Sequence, residues 1–171
     1  MAHNIKLRLS TSSIEAAIRE LNEIKEEIRF KNSIFVQKLA ERGLAVIEAH
    51  KYSRGDSDFN DLQTYVWMEN YGNKSKAVLV LAGKDVAFIE FGAGVHYNGT
   101  GGLNPEASKF GFTIGSYGQG HGLEDKWVYY DEEASCFKTS HGTEAAMPMY
   151  LAKTDIERSF IAVASEVFGN G

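Results

Sequence analysis

One cysteine, two prolines and no long apolar run stand in this sequence of 171 residues. The single thiol, Cys136, cannot close an internal disulfide, and no CxxC pair offers thiolates to zinc. No window approaches the roughly 18 uninterrupted apolar residues of a membrane-spanning helix. The opening MAHNIKLRLSTSS lacks the apolar stretch of a signal peptide, so neither a membrane anchor nor a secretory route is expected. Positive charge is also in deficit. Lys and Arg number 18 against 23 Asp and Glu, a formal charge of −5. Neutralising phosphates needs a basic surface, so specific nucleic-acid binding is not expected either. Extremes of composition are absent: at 43% hydrophobic and 24% charged the chain can bury a core, expected as one domain over residues 1–171.

What is present divides by period. Ile5, Leu7 and Leu9 alternate with polar residues, predicting an extended N-terminal arm over about residues 1–12. Ser12 and Glu15 have the spacing of a capping box. Ile14, Ala17, Ile18, Leu21, Ile24 and Ile28 then step by threes and fours, which is a helix. Asn32-Ser33 either caps a second helix or lies within a longer one, and the stripe resumes through Phe35, Val36, Leu39, Ala40, Val46 and Ile47. Gly43 on that face is either tolerated or marks close approach of another backbone. Thr64–Met68 and Ala77–Leu81 read as strands joined by a turn at 70–74, and Trp127–Tyr130 with Cys136–Thr139 as a second hairpin. Val86–Phe91 is a strand or a short helix. More than half of the 17 glycines fall between Gly92 and Gly122, predicting a loop-rich insertion over about residues 93–143 with a short strand at Phe110–Ile114. Pro148 suits the first turn of a last helix whose apolar positions run from Met149 to Phe168. The class expected is α+β: a long N-terminal helical region and a C-terminal helix packed on a mostly antiparallel sheet, with a long Gly-rich loop.

Candidate chemistry is thin. His96, His121 and His141 lie in turn-rich sequence at spacings that match no compact metal motif, so surface histidines are the expectation. Cys136 and His141 would form a thiol–base pair only if a hairpin folded one against the other. Gly115–Gly122 contains G-x-G-x-G but opens no predicted helix, so no phosphate cradle is expected. Asp56, Asp58 and Asp61 mimic a calcium loop without its glycine at the sixth position. No metal or cofactor is therefore assigned. Glu90 differs from the other carboxylates because it stands inside the apolar run VAFIEFGAG. It must face solvent or be buried with partners, the expectation being hydrogen bonds from the glycine backbone.

Three stretches in order resemble the HK97 gp10-like family of tailed-bacteriophage proteins, known as neck, tail-completion or tail-component proteins. Gly43–Lys51 is similar to the end of that family's first helix. Val86–Gly94 resembles its aromatic–apolar run ending in Glu-Phe-Gly-Thr, with Ala93 in place of the threonine. Ala146–Ala152 resembles its proline-led start of the last helix. The usual Ala-Pro and Thr-Gly-x-Leu turn after the first helix is missing from Tyr52–Leu62, and Val95–Thr143 reads as an inserted loop and hairpin.

The resemblance implies a non-catalytic structural protein of the phage or prophage head–tail junction or tail, assembled in the host cytoplasm and resident in the virion. Its partners would be copies of itself in a ring, often of six, together with connector or head-closure and tail proteins. On this reading Phe88, Ile89, Phe91 and Tyr150 pack, Glu90 and Gly92 fix a turn, Pro148 opens the last helix, and Gly94–Gly122 contacts a partner. Deleting residues 99–122 is then expected to spare folding and abolish assembly. Two rivals belong to other classes: a small hydrolase using His96, His121, His141 and Cys136 or a carboxylate, and a soluble protein-binding module.

Overall fold

A computed structural model describes residues 10–51, 62–92, 104–112, 126–142 and 144–169, together with Ile5 and Arg8. Helix α1 (Thr11–Lys51) runs for 41 residues without interruption, about 62 Å of axis. Asn32 and Ser33 therefore lie within one helix. Strands β1 (Gln63–Tyr71) and β2 (Lys74–Ala82) form an antiparallel hairpin through a turn at Gly72-Asn73. Helix α2 (Val86–Phe91) is short, which decides the question left open by that apolar run. Strands β3 (Trp127–Asp131) and β4 (Cys136–Ser140) make the second antiparallel hairpin, and helix α3 (Pro148–Phe168) completes the order.

The class is α+β. The strands, however, form two separate two-stranded sheets rather than one sheet beneath both helices. Two local expectations are also corrected. Residues Ala107–Phe110 form a 3-10 turn where a strand was expected at Phe110–Ile114, of which residues 113 and 114 lie outside the described residues. The start of α1 is capped by Ser10, not by the Ser12–Glu15 pair: the Ser13 N–H donates to the Ser10 hydroxyl at 3.4 Å, and the Arg8 N–H reaches the Ser13 hydroxyl at 2.9 Å. Most of the predicted arm, at residues 1–4, 6, 7 and 9, lies outside the described residues.

Helix α3 packs antiparallel on α1. Phe35 meets Phe160 edge-on with ring centroids 5.1 Å apart and Phe168 at 5.8 Å. Lys38 pairs with Glu166, and Arg42 Nε with Asp155 at 2.6 Å. Buried residues on α1 (Leu39, Ala40, Gly43, Ile47) and on α3 (Ala152, Ser159, Val163) keep helical spacing, each helix turning one stripe inward. Hairpin β1–β2 lies along another side of α1. Thr64 at the start of β1 bonds Glu48, while Asn73 at the turn accepts from Arg29 Nε at 2.8 Å. The helix between Arg29 and Glu48 is about 28 Å long. A nine-residue strand spans about 30 Å, so hairpin and helix segment match in length.

Gly43 is where these layers come closest. A Cβ built there would stand 2.7 Å from Ile156 Cδ1 of α3 and 2.9 Å from Leu79 Cδ2 of β2. The close approach is by side chains from two elements, not by another backbone. Both contacts are the far ends of flexible side chains, so a methyl group is accommodated more readily than a branched one. Gly43→Ala should change stability by less than about 1 kcal/mol, helix propensity offsetting crowding. Gly43→Val should lose about 1–3 kcal/mol, read from urea unfolding midpoints.

Candidate functional site

The proline-led helix lacks a side-chain cap of its own. Met147, at the N-cap position of α3, has φ 57° and ψ 39° and offers no side-chain acceptor. With Pro148 at the first position, the next N–H groups, on Met149 and Tyr150, point out of the helix end without an intrahelical partner. Glu90 of α2 supplies the acceptors. Its Oε2 accepts from Met149 N at 2.8 Å, and its Oε1 from Tyr150 N at 2.9 Å. The carboxylate also sits at the positive end of the α3 dipole.

A third segment closes the junction. Asn104 Nδ2 donates to Glu90 Oε1 at 2.7 Å, while Asn104 Oδ1 accepts from Glu106 N at 2.9 Å and starts the turn into Ala107–Phe110. Main-chain bonds reinforce it, since Ile89 O accepts from Ala146 N at 2.8 Å and from Met147 N at 3.4 Å. These anchors hold Met147 in left-handed geometry, which costs a non-glycine residue on the order of 1 kcal/mol. Gly92 ends α2 at φ 75° and ψ 173°, a conformation open essentially to glycine alone, and returns its N–H to Phe88 O at 2.8 Å.

Glu90 is 7% exposed and Asn104 3%. Burial pushes the Glu90 carboxyl above its ordinary value, and the charge of nearby Glu106 adds to this. The N–H groups of Met149 and Tyr150 and the Asn104 amide oppose the shift. At the rim, Glu106 accepts from Lys153 at 2.5 Å and faces Lys109 at 3.4 Å, and its hydrogen bond with Lys153 lowers its pKa. Beside the junction lies an open cavity of about 310 Å³ whose walls include Leu81, Val86, Phe91, Phe110 and Tyr150. Phe91 forms one wall, stacked on Phe112 with centroids 4.2 Å apart and tilted against Phe110 at 5.5 Å.

The residues singled out from sequence thus gather at one place. Glu90, Gly92, Pro148 and Tyr150 belong to the junction, Phe91 to its aromatic wall, and Ile89 to the buried cluster with Leu62. Phe88 is half-buried on α2 and its carbonyl receives Gly92. One expectation is corrected: Glu90 receives main-chain N–H groups from the start of α3, not from glycine. Sequence reasoning missed Asn104, Glu106 and Lys153. Asn104-Pro105 is a turn signal, but nothing in it says that its amide reaches Glu90.

Asn104 and Ala107 are buried, so this part of the Gly-rich stretch is built into the body, and deleting residues 99–122 would remove a partner of Glu90. The remainder, 94–103 and 113–122, lies outside the described residues, as do His96, His121, Asp56, Asp58 and Asp61. Cys136 and His141 are not brought together. Both belong to the β4 side of the hairpin, Cys136 at its first residue and His141 just past its last, about 16 Å apart along a strand. Among the described residues no three His, Cys, Asp or Glu side chains stand close enough to hold a metal ion.

Glu90→Ala strands three donors and should cost about 3 kcal/mol. Glu90→Gln keeps Oε1 but sets an amide NH₂ against the Met149 N–H, an expected loss of about 1 kcal/mol. Because the folded carboxyl titrates above its unfolded value, the native state binds the extra proton. Its contribution is complete at low pH and declines as pH rises from the ordinary carboxyl range through the raised value. Urea titrations from acid to neutral pH should show wild type losing stability relative to Glu90→Gln across that window, and a constant gap would contradict the assignment. Compared with known proteins, the chain matches no family model, no curated protein and no solved structure.

Proposed function

We propose that this chain is a non-catalytic structural subunit of the head–tail junction or tail of a tailed phage or prophage, acting in a ring of identical copies between connector and tail tube. The observation that carries the reading is the Glu90 junction. The Glu-Phe-Gly run and the proline-led helix, which carry the resemblance to HK97 gp10-like proteins, are two halves of one hydrogen-bonded unit. A carboxylate committed to two backbone N–H groups and an amide serves architecture.

Surface composition supports assembly. Tyr65, Trp67 and Tyr71 on β1 and Tyr130 and Phe137 on β3–β4 are at least half exposed, more aromatic surface than a monomer needs. Subunits of a ring meet through two different faces, and a chain with several separate apolar surfaces can supply them. The net charge of −5 suits a wall past which DNA must slide without adhering.

Interrupting the gene in the phage or lysogen that carries it should yield DNA-filled heads and unattached or incomplete tails, with infectivity restored by the intact gene in trans. Electron microscopy of lysates reads the outcome. Normal infectious particles lacking the protein would end the proposal.

A further inference from the structure

Among the apolar surfaces that lie open on the described residues, two differ in kind. On hairpin β3–β4 the register sets Val128 opposite Thr139 and Tyr130 opposite Phe137, so these four share one face. Phe137 is 75% exposed, its ring set edge-on to Tyr130 at 5.2 Å. The other face is mixed, carrying Tyr129 and Cys136 beside the Lys138–Asp131 ion pair at 2.5 Å. A two-stranded hairpin with no layer against it is marginal in water. On α1 the second surface is the stripe N-terminal to Arg29, where Ile18 is 53% and Leu21 55% exposed and Ile28 is similarly open.

The chain already contains the packing that would cover both. Further along α1, hairpin β1–β2 turns Val66, Met68 and Leu79 toward the helix, with Leu79 reaching Gly43. That interface ends at Asn73. There a cleft of about 250 Å³, walled by Leu21, Ile24, Ile28, Arg29 and Asn73, leads into the stripe, where Ala17 is buried but Ile18, Leu21 and Ile28 stand half exposed.

We propose that the apolar face of β3–β4 in one copy docks on the α1 stripe around Leu21 in the next copy, continuing along the helix the packing that β1–β2 begins. Five-residue strands span about 16 Å, and Ile18 to Ile28 about 15 Å of helix, so the two surfaces are commensurate. The occupant is a second copy because of distance. Helix α3, to which β4 leads, starts at the C-terminal end of α1, about 40 Å along the axis from Leu21. Among the described residues β1–β2 lies along α1, whereas β3–β4 has no comparable packing on a helix. The contact is head-to-tail, each copy giving a hairpin and offering a helix. Closure of such a chain into a ring rests on the function proposed above; the contact itself does not.

Complementary variants of the full chain test it. Leu21→Glu spoils the helix surface and Phe137→Ser the hairpin. Both side chains are exposed, so melting temperatures should stay within a few degrees of wild type. At high concentration wild type should sediment as a series of oligomers and each variant alone as a monomer. An equimolar mixture of the two should form a one-to-one dimer that grows no further, since one good hairpin and one good helix surface remain. In a Cys136→Ser background, Lys25→Cys with Thr139→Cys should give interchain links between positions 25 and 139. A monomeric wild type, a mixture that stays monomeric, association that survives Phe137→Ser, or links only between like positions would each overturn the contact. The last two outcomes would indicate helix-to-helix pairing instead. Particle morphology is unaffected by how these measurements turn out, so failure of the contact and failure of the phage assignment are told apart.

Discussion

A carboxylate on a six-residue helix caps a helix that begins nearly sixty residues later. Helix α3 starts with a proline and a methionine in left-handed geometry, so it cannot cap itself, and the orphan N–H groups of its first turn are partly buried. Removing Glu90 would expose no alternative acceptor on that helix end. Desolvation of the carboxyl is tolerated because three donors converge on it, and the price of burying it recovers as fixed geometry among α2, α3 and the Asn104 turn.

That junction also sets where the long helices lie. With α3 anchored at its first turn, its inward stripe runs antiparallel along α1, and Phe35 slots between Phe160 and Phe168 near the far end. Gly43 allows Ile156 and Leu79 to reach the helix surface from two sides, so α3 and the β1–β2 hairpin share α1 as a common support. The surface ion pairs, Arg42–Asp155 and Lys153–Glu106, decorate this arrangement more than they hold it, since exposed pairs contribute little. Helix α1 is longer than either layer packed on it. Its first turns extend past Asn73 with apolar side chains facing out, and the second hairpin shows its aromatics to solvent. Contiguous apolar surface of this kind is where contacts form.

Local signals in this sequence were legible where they depend on neighbours along the chain. The threes-and-fours spacing from Ile14 to Ile47, both hairpins, the proline-led last helix and the α+β class follow from periodicity and turn residues. Glu90 could be singled out because an ionisable group in an apolar run needs a partner; Gly92 was marked only through the resemblance, and its glycine-only backbone came from the structure. The identity of the partners was not legible. Met149 and Tyr150 contribute main-chain N–H groups, which every residue but proline has, so no side-chain pattern marks them. The true cap of α1 was missed for a related reason: Ser10, Ser12 and Ser13 are equivalent by type, and only geometry selects Ser10.

By itself, then, the order of residues determined the two long helices and both hairpins, the inward stripe of each helix and one carboxylate that needed either solvent or partners. Tertiary structure decided that the strands form two separate hairpins, that Val86–Phe91 is helical, and that Asn104 joins residues 90 and 149. The division is physical. Periodicity and turn propensity act over a few residues, whereas pairing a buried donor with its acceptor depends on which distant segments share the same small volume.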